Sequence, residues 1–256
     1  MNIKQLFDLT NKTAIVTGGG TGIGKQIAFA YAEAGANVVL CSRKVEVCQE
    51  VCNQLNEMGV NSLALKCDVS NPDDINYVIS ETLKKFGRID ILVNNGATTW
   101  AAPVLEMPAD KWDKVMNVNA KGVFLFSQAV AKLMVEQGAG KIINIASICG
   151  LGGQTPEIGD AIGYSASKGA VINFTKDFAV KLAPKNVHVN CITPGFFHTK
   201  MADLIIEQAK RFTPMGRSGS NYDMKGAALF LASNASDFVT GQVLGVDGGI
   251  QAAIVY

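Results

Sequence analysis

The chain has 256 residues, 48% of them apolar and 18% charged, with a formal net charge of +1. Such a chain buries a large globular core, and its near-neutral balance gives no footing for nucleic acid or an anionic membrane surface as partner. No apolar stretch approaches the roughly 20 residues that span a bilayer, and Met1 to Asp8 has no apolar run after a basic start. No membrane span or signal peptide is therefore expected, and the protein is expected in the cytosol.

Along the chain, short apolar β-branched runs alternate with longer helical patterns. Strands are expected at Thr13–Thr17, Asn37–Cys41, Ser62–Lys66, Ile89–Val93, Lys141–Ile145, Val187–Ile192 and Val243–Val246. Helices are expected at Gly22–Ala34, Val45–Met58, Pro72–Phe86, Ala109–Gln137, Tyr164–Ala183 and Tyr222–Ser233. Strands apolar on both faces and separated by helices imply βαβ units and a parallel sheet. These elements account for nearly the whole chain. The expected fold is a single α/β domain over residues 1–256, a doubly wound seven-stranded parallel sheet with helices on both faces. Pro194-Gly195 follows the sixth strand, and about twenty residues, Phe196 to Met215, precede the last helix. A long connection at the carboxyl ends of parallel strands suits a substrate lid at about 196–215. The plainer alternative is a surface helix over Ala202 to Lys210.

Six cysteines are present, Cys41, Cys48, Cys52, Cys67, Cys149 and Cys191, and the histidines are His188 and His198. None of this has zinc spacing, so no metal is expected and the thiols are read as small buried hydrophobes. Cys149 is set apart because it falls beside the motifs below.

Thr17-Gly18-Gly19-Gly20-Thr21-Gly22-Ile23-Gly24 joins the first strand to the first long helix. Glycines there allow a tight turn and close backbone approach. The helix that follows offers unpaired N–H groups to a pyrophosphate. Strand before and helix after is the context that a dinucleotide site requires. After the second strand the chain reads Cys41-Ser42-Arg43-Lys44, with no carboxylate before Glu46. A guanidinium suits a 2′-phosphate, so NADP is favoured over NAD.

Tyr164-Ser165-Ala166-Ser167-Lys168 opens a helix, and its spacing puts Tyr164 and Lys168 on one face. A phenol titrates near pH 10, and a neighbouring ammonium is expected to lower that value.

In order and spacing these features resemble the short-chain dehydrogenase/reductases, over essentially the whole chain. The resemblance rests on TGGGTGIG at Thr17–Gly24, CDV at Cys67–Val69, NNGA at Asn94–Ala97 and NVNAKG at Asn117–Gly122. INIAS at Ile143–Ser147, YSASK at Tyr164–Lys168, PG at Pro194-Gly195 and VDGG at Val246–Gly249 complete it. The resemblance implies a Rossmann fold and hydride transfer between a nicotinamide dinucleotide and a small-molecule alcohol or carbonyl. It implies Tyr164 as acid/base, Lys168 to lower its pKa and hold the nicotinamide ribose, and Ser147 on the substrate oxygen. Asn119 would hold a water in a proton relay ending at Lys168. Gly18, Thr21, Gly22, Ile23 and Gly24 would form the cofactor loop, with Ser42 and Arg43 at the adenosine ribose. Asp68 and Val69 would meet adenine, with Asn95 and Gly96 next to them, and Pro194, Gly195 and Thr199 would flank the nicotinamide. It further implies a homotetramer with Gly241–Tyr256 at an interface.

Two departures stand out. Asn94-Asn95-Gly96-Ala97 swaps the last two residues of the family's usual pattern. The stretch from Ser147 to Tyr164 is several residues longer than usual, within Gly150–Gly163, and carries Gln154, Pro156, Glu157 and Asp160. That loop is either a substrate selector or a surface elaboration. Two substrate classes stay open. The LFDLTNKTAIVTG start and the PGFFHTKM segment resemble gluconate 5-dehydrogenases, with Lys200, Arg211 and Gln154 as polar pocket candidates. The general pattern is equally similar to 3-oxoacyl-carrier-protein reductases, for which Phe196, Phe197 and Met201 suit an acyl channel. A dinucleotide-binding regulatory protein without catalysis is the reading of a different class, and the intact Asn119, Ser147, Tyr164 and Lys168 argue against it.

Overall fold

The structure, a computed structural model, describes residues 1–156, 159–198 and 211–253. Seven strands, β1 (Thr13–Thr17), β2 (Asn37–Ser42), β3 (Ser62–Lys66), β4 (Ile91–Asn94), β5 (Gly140–Ile145), β6 (Val187–Pro194) and β7 (Val243–Val246), form one sheet. Their order is β3-β2-β1-β4-β5-β6-β7, and every neighbouring pair is parallel. The helices are α1 (Ile3–Leu6), α2 (Gly22–Glu33), α3 (Val45–Glu57), α4 (Pro72–Phe86), α5 (Ala109–Met116), α6 (Gly122–Gln137), α7 (Ile162–Leu182) and α8 (Asp223–Ala232).

Successive strand residues point to opposite faces, and the core divides accordingly. Ala14 and Val16 of β1 pack with Ile27 and Tyr31 of α2, Leu55 of α3 and Leu231 of α8. Ile15, between them, packs on the other face with Val78 of α4, Phe126 of α6 and Ala179 of α7. Burial on both faces explains why the strands read as near-continuous apolar runs. Five cysteines are buried, Cys149 is partly so, and all six are free thiols.

Helix ends follow local chemistry. Asn71 caps α4 by accepting the Asp73 N–H, Pro72 takes the first helical position, and Gly87 ends the helix at φ 73°. The expected helix over Ala109–Gln137 is interrupted by one π turn, Asn117–Lys121, between α5 and α6. β4 starts two residues later than expected. Ile89 is buried all the same, while the Asp90 carboxylate accepts the Thr13 N–H at 3.0 Å and hydrogen bonds from Arg88 Nε and Nη2. No described helix is long and apolar enough to cross a membrane. Most of the expected lid, residues 199–210, lies outside the described residues.

Candidate active site

A cleft of about 1040 Å³ runs along the carboxyl ends of β1 to β6. β1 lies between β2 and β4, so the chain reverses direction across the sheet there, and ligands bind at such a switch point.

At one end the chain leaves β1 through Gly18, at φ 64°, and enters α2 at Gly22, at φ 52°. A Cβ on Gly24 would lie 2.4 Å from the Gly18 carbonyl oxygen and 2.5 Å from Asn95 Nδ2, so no side chain fits between loop and helix. Asn95 Nδ2 donates to the carbonyls of Thr17 (2.9 Å) and Gly18 (3.3 Å). Thr17 Oγ1 accepts the N–H groups of Asn95 and Gly96, both at 2.9 Å. Asn95 is thus first a fastener of the glycine loop, and Thr17 is its counterpart. Thr21, the N-cap of α2, makes no capping hydrogen bond, and the first turn carries no acidic side chain. The amides there are left for an anion, which is the chemistry of a pyrophosphate site. A Cβ on Gly96 would meet Thr17 at 3.4 Å, an ordinary contact, so the swapped Gly96-Ala97 pair changes little sterically.

Toward the edge of the sheet, Ser42, Arg43, Asp68 and Val69 line the same cleft. Ser42 Oγ donates to the Lys44 carbonyl at 2.7 Å and accepts the Cys48 thiol at 3.3 Å. Asp68 Oδ1 accepts the N–H and the hydroxyl of Ser70, at 2.9 and 2.7 Å. Those Ser70 hydrogen bonds, with Arg43 as a smaller contribution, hold the Asp68 carboxyl below its ordinary pKa. Arg43 is exposed and lines the cleft.

At the other end, Ser147 follows β5, and Tyr164 sits in the first turn of α7 with Lys168 one turn later. Ser147 and Tyr164 line the cleft together, and Ser147 Oγ accepts the Cys149 N–H at 3.2 Å. Lys168 is 3% exposed. Its Nζ donates to the Ile145 carbonyl at 2.7 Å and lies 5.5 Å from the centre of the Tyr164 ring. Burial depresses the Lys168 pKa to about 8. Burial also raises the Tyr164 pKa, with Cys149 adding to the rise and the nearby Ser147 offsetting part of it. The sequence-based expectation of a Tyr164 pKa lowered by Lys168 is corrected here. Desolvation of the phenolate sets the direction, while the Lys168 ammonium donates to the Ile145 carbonyl. The phenol stays protonated at neutral pH, ready to donate.

Asn119 is fully buried in the π turn. Its Oδ1 accepts the Thr98 N–H at 2.8 Å, and its Nδ2 donates to the Thr98 carbonyl (2.8 Å) and Ser167 Oγ (3.0 Å). Ser167 donates in turn to the Tyr164 carbonyl at 2.7 Å. Asn119 therefore ties the segment after β4 to the helix that carries Tyr164.

Gly18, Thr21, Gly22, Ile23, Asn95, Gly96, Pro194 and Gly195 line the cleft together with Ser147, Tyr164 and Lys168. Gly24 and Asn119 stand behind that wall. Thr199, Lys200, Met201 and Glu157 lie outside the described residues. Phe196, Phe197, Gln154 and Asp160 line the cleft, whereas Arg211 does not. Sequence reasoning named Thr17 only as the start of the glycine motif and missed its hydroxyl, which accepts the Asn95 and Gly96 N–H groups. It also missed Ile145, whose contribution is a backbone carbonyl that any residue could provide.

The profile of a family described as enoyl-(acyl carrier protein) reductase matches residues 18–251. The 5-keto-D-gluconate 5-reductase of Escherichia coli K12 is 38% identical, over 98% of this chain and 100% of the relative. The 3-oxoacyl-(acyl-carrier-protein) reductase of Thermotoga maritima is 36% identical, over 94% of this chain and 98% of the relative. A gluconate 5-dehydrogenase from Burkholderia cenocepacia J2315, solved with NADP and tartrate, has 36% identity and a TM-score of 0.92, covering 99% of this chain and 100% of that one. With this cleft and with likeness of that extent, the chain belongs to the short-chain dehydrogenase/reductase family of oxidoreductases.

Proposed function

We propose that the protein is an NADP(H)-dependent oxidoreductase that interconverts a ketone and a secondary alcohol on a small polyhydroxy acid of the gluconate class. The observation that carries this reading is the convergence of Ser147, Tyr164 and buried Lys168 in one cleft that ends at the uncapped N-terminus of α2.

The glycine cradle and free helix amides fit a dinucleotide pyrophosphate through Gly18, Thr21, Gly22 and Ile23. Ser42 and Arg43 would face the adenosine ribose, and Asp68, Val69, Asn95 and Gly96 the adenine side. Pro194, Gly195 and Thr199 would flank the nicotinamide, whose ribose Lys168 would hold. When bound, the nicotinamide supplies the hydride donor or acceptor. The chain itself handles the oxygen and its proton. Ser147 Oγ orients the substrate oxygen, and Tyr164 Oη donates the proton during reduction. Lys168 stands next to it as the replenishing charge. Both amide hydrogens of Asn119 are already used, so a relay water toward Lys168 would bind its main-chain carbonyl.

The end-to-end likeness to the 5-keto-D-gluconate reductase supports the substrate class, and so does the hydroxy acid tartrate in the Burkholderia structure. Gln154 and Asp160 give the cleft wall polar groups. A second reading, reduction of 3-oxoacyl thioesters, draws on Phe196 and Phe197 in the same cleft. Six free thiols suit a cytosolic enzyme. The edge strand β7, with no fully buried residue, suits coverage by another copy in a homotetramer.

The test is kcat/KM for 5-ketogluconate and for an acetoacetyl thioester, each with NADPH and NADH. We expect at least about tenfold preference for 5-ketogluconate with NADPH, as hydroxyl recognition provides. Preference for the thioester would replace this reading with the second one.

A further inference from the structure

Between Ser147 and Tyr164 lies a loop whose polar groups have no part in the proton chemistry. Across residues 151–156 only Gln154 is drawn inward, and its neighbours are exposed. Its Nε2 donates to Cys149 Sγ at 3.0 Å. Its Oε1 faces Gly159, 3.2 Å from where a Cβ there would stand. Cys149 is itself tied to the reacting corner, because its N–H donates to Ser147 Oγ. Farther along the loop, the Asp160 carbonyl accepts the Ala102 N–H at 2.9 Å, which fastens the loop to the segment after β4.

A primary amide offers two donors and an acceptor with two lone pairs, and a thiol is a weak acceptor. Gln154 makes no other hydrogen bond among the described residues and lines the cleft beside Ser147 and Tyr164. A substrate hydroxyl is a better partner than the sulfur. The Asp160 side of the wall disfavours a substrate carboxylate, so this wall suits hydroxyls. We propose that Gln154 is the specificity-determining residue, hydrogen-bonding a hydroxyl next to the reacting carbonyl while Cys149 keeps its amide in place. This rests on the reading of the protein as a polyhydroxy-ketone reductase. It assigns the lengthened loop to substrate selection.

The test compares the parent enzyme with Gln154→Leu on 5-ketogluconate and an acetoacetyl thioester, with NADPH binding followed by nicotinamide fluorescence. For 5-ketogluconate, kcat/KM should fall by up to about 10²-fold, the scale of leaving a buried polar partner unpaired. The thioester should change by less than about threefold, as expected for a substrate lacking that hydroxyl, with NADPH binding unchanged. Gln154→Glu keeps the length and loses the donor, and should show the same selective loss in a folded protein. Equal losses on both substrates, or none on either, would overturn the role of Gln154. A parent that prefers 5-ketogluconate, with a variant that keeps that preference, would overturn it alone. A parent that reduces the thioester and not 5-ketogluconate would overturn the substrate class and this role together.

Discussion

Gly24→Ala probes the cofactor loop through a contact that the structure defines. The new methyl would stand 2.4 Å from the Gly18 carbonyl oxygen and 2.5 Å from Asn95 Nδ2. Neither neighbour can yield cheaply: one is backbone, and the other is fixed on Thr17 and Gly18. Overpacking of this kind costs ~1–3 kcal/mol. Displacing Asn95 would forfeit two hydrogen bonds worth ~1 kcal/mol each. A net loss of ~2–4 kcal/mol follows from these terms. At ~2–4 °C per kcal/mol for a chain of this size, Tm should fall by roughly 5–15 °C. If about 2.8 kcal/mol is felt at the pyrophosphate site, NADPH binding should weaken about 10²-fold. Thermal denaturation and a fluorescence titration with NADPH measure both. A Tm within about 1 °C of the parent and a Kd within about threefold would refute the account of the loop.

Gly226→Ala is the counterpart, because Gly226 is an exposed residue inside α8 with nothing within 4 Å of the added Cβ. It should stabilise by ~0.5–1 kcal/mol, and a lowered Tm would contradict the open space seen there. Arg43→Ala should weaken NADPH about tenfold, on ~1.5 kcal/mol for a charged hydrogen bond at an exposed site, and leave NADH unchanged. Equal losses for both cofactors would mean that Arg43 does not read the 2′-phosphate. Lys168 titrates near pH 8 in the folded state, so reduction, which draws on its charged form, should decline above about that pH while oxidation gains. Over the same window the unfolded chain holds this proton and the folded chain has released it. The contribution of Lys168 to stability therefore rises with pH from about 8 toward the ordinary lysine value of 10.5. Lys168→Met should lack that rise in pH-dependent denaturation, and an unchanged slope would refute the assignment.

The sheet was legible because its strands are buried on both faces and appear as unbroken apolar runs, as in Val38 to Cys41. The start of β4 was less legible, since Asp90 belongs by its hydrogen bonds to the strand edge and by its charge to an ion pair with Arg88. The π turn at Asn117–Lys121 leaves no trace in an apolar pattern that runs through it. What marks it is three-dimensional: Asn119, within it, reaches Thr98 and Ser167. At the site, the cleft brings together most of the motif residues. The sense of the Tyr164 shift was not legible, because it is set chiefly by burial that only the folded chain creates. Asn95 lines the cleft, and its side chain also fastens the glycine loop, a second role that the motif does not reveal. Such second roles emerge only when β1 and β4 are seen side by side.

The central claim, that Tyr164 delivers the proton beside Ser147 and Lys168, is tested most directly by Tyr164→Phe with NADPH binding and turnover measured on the same preparation. The account predicts unchanged NADPH affinity and turnover reduced by about 10²-fold or more, the contribution of a positioned general acid. Near-normal turnover with intact cofactor binding would contradict it.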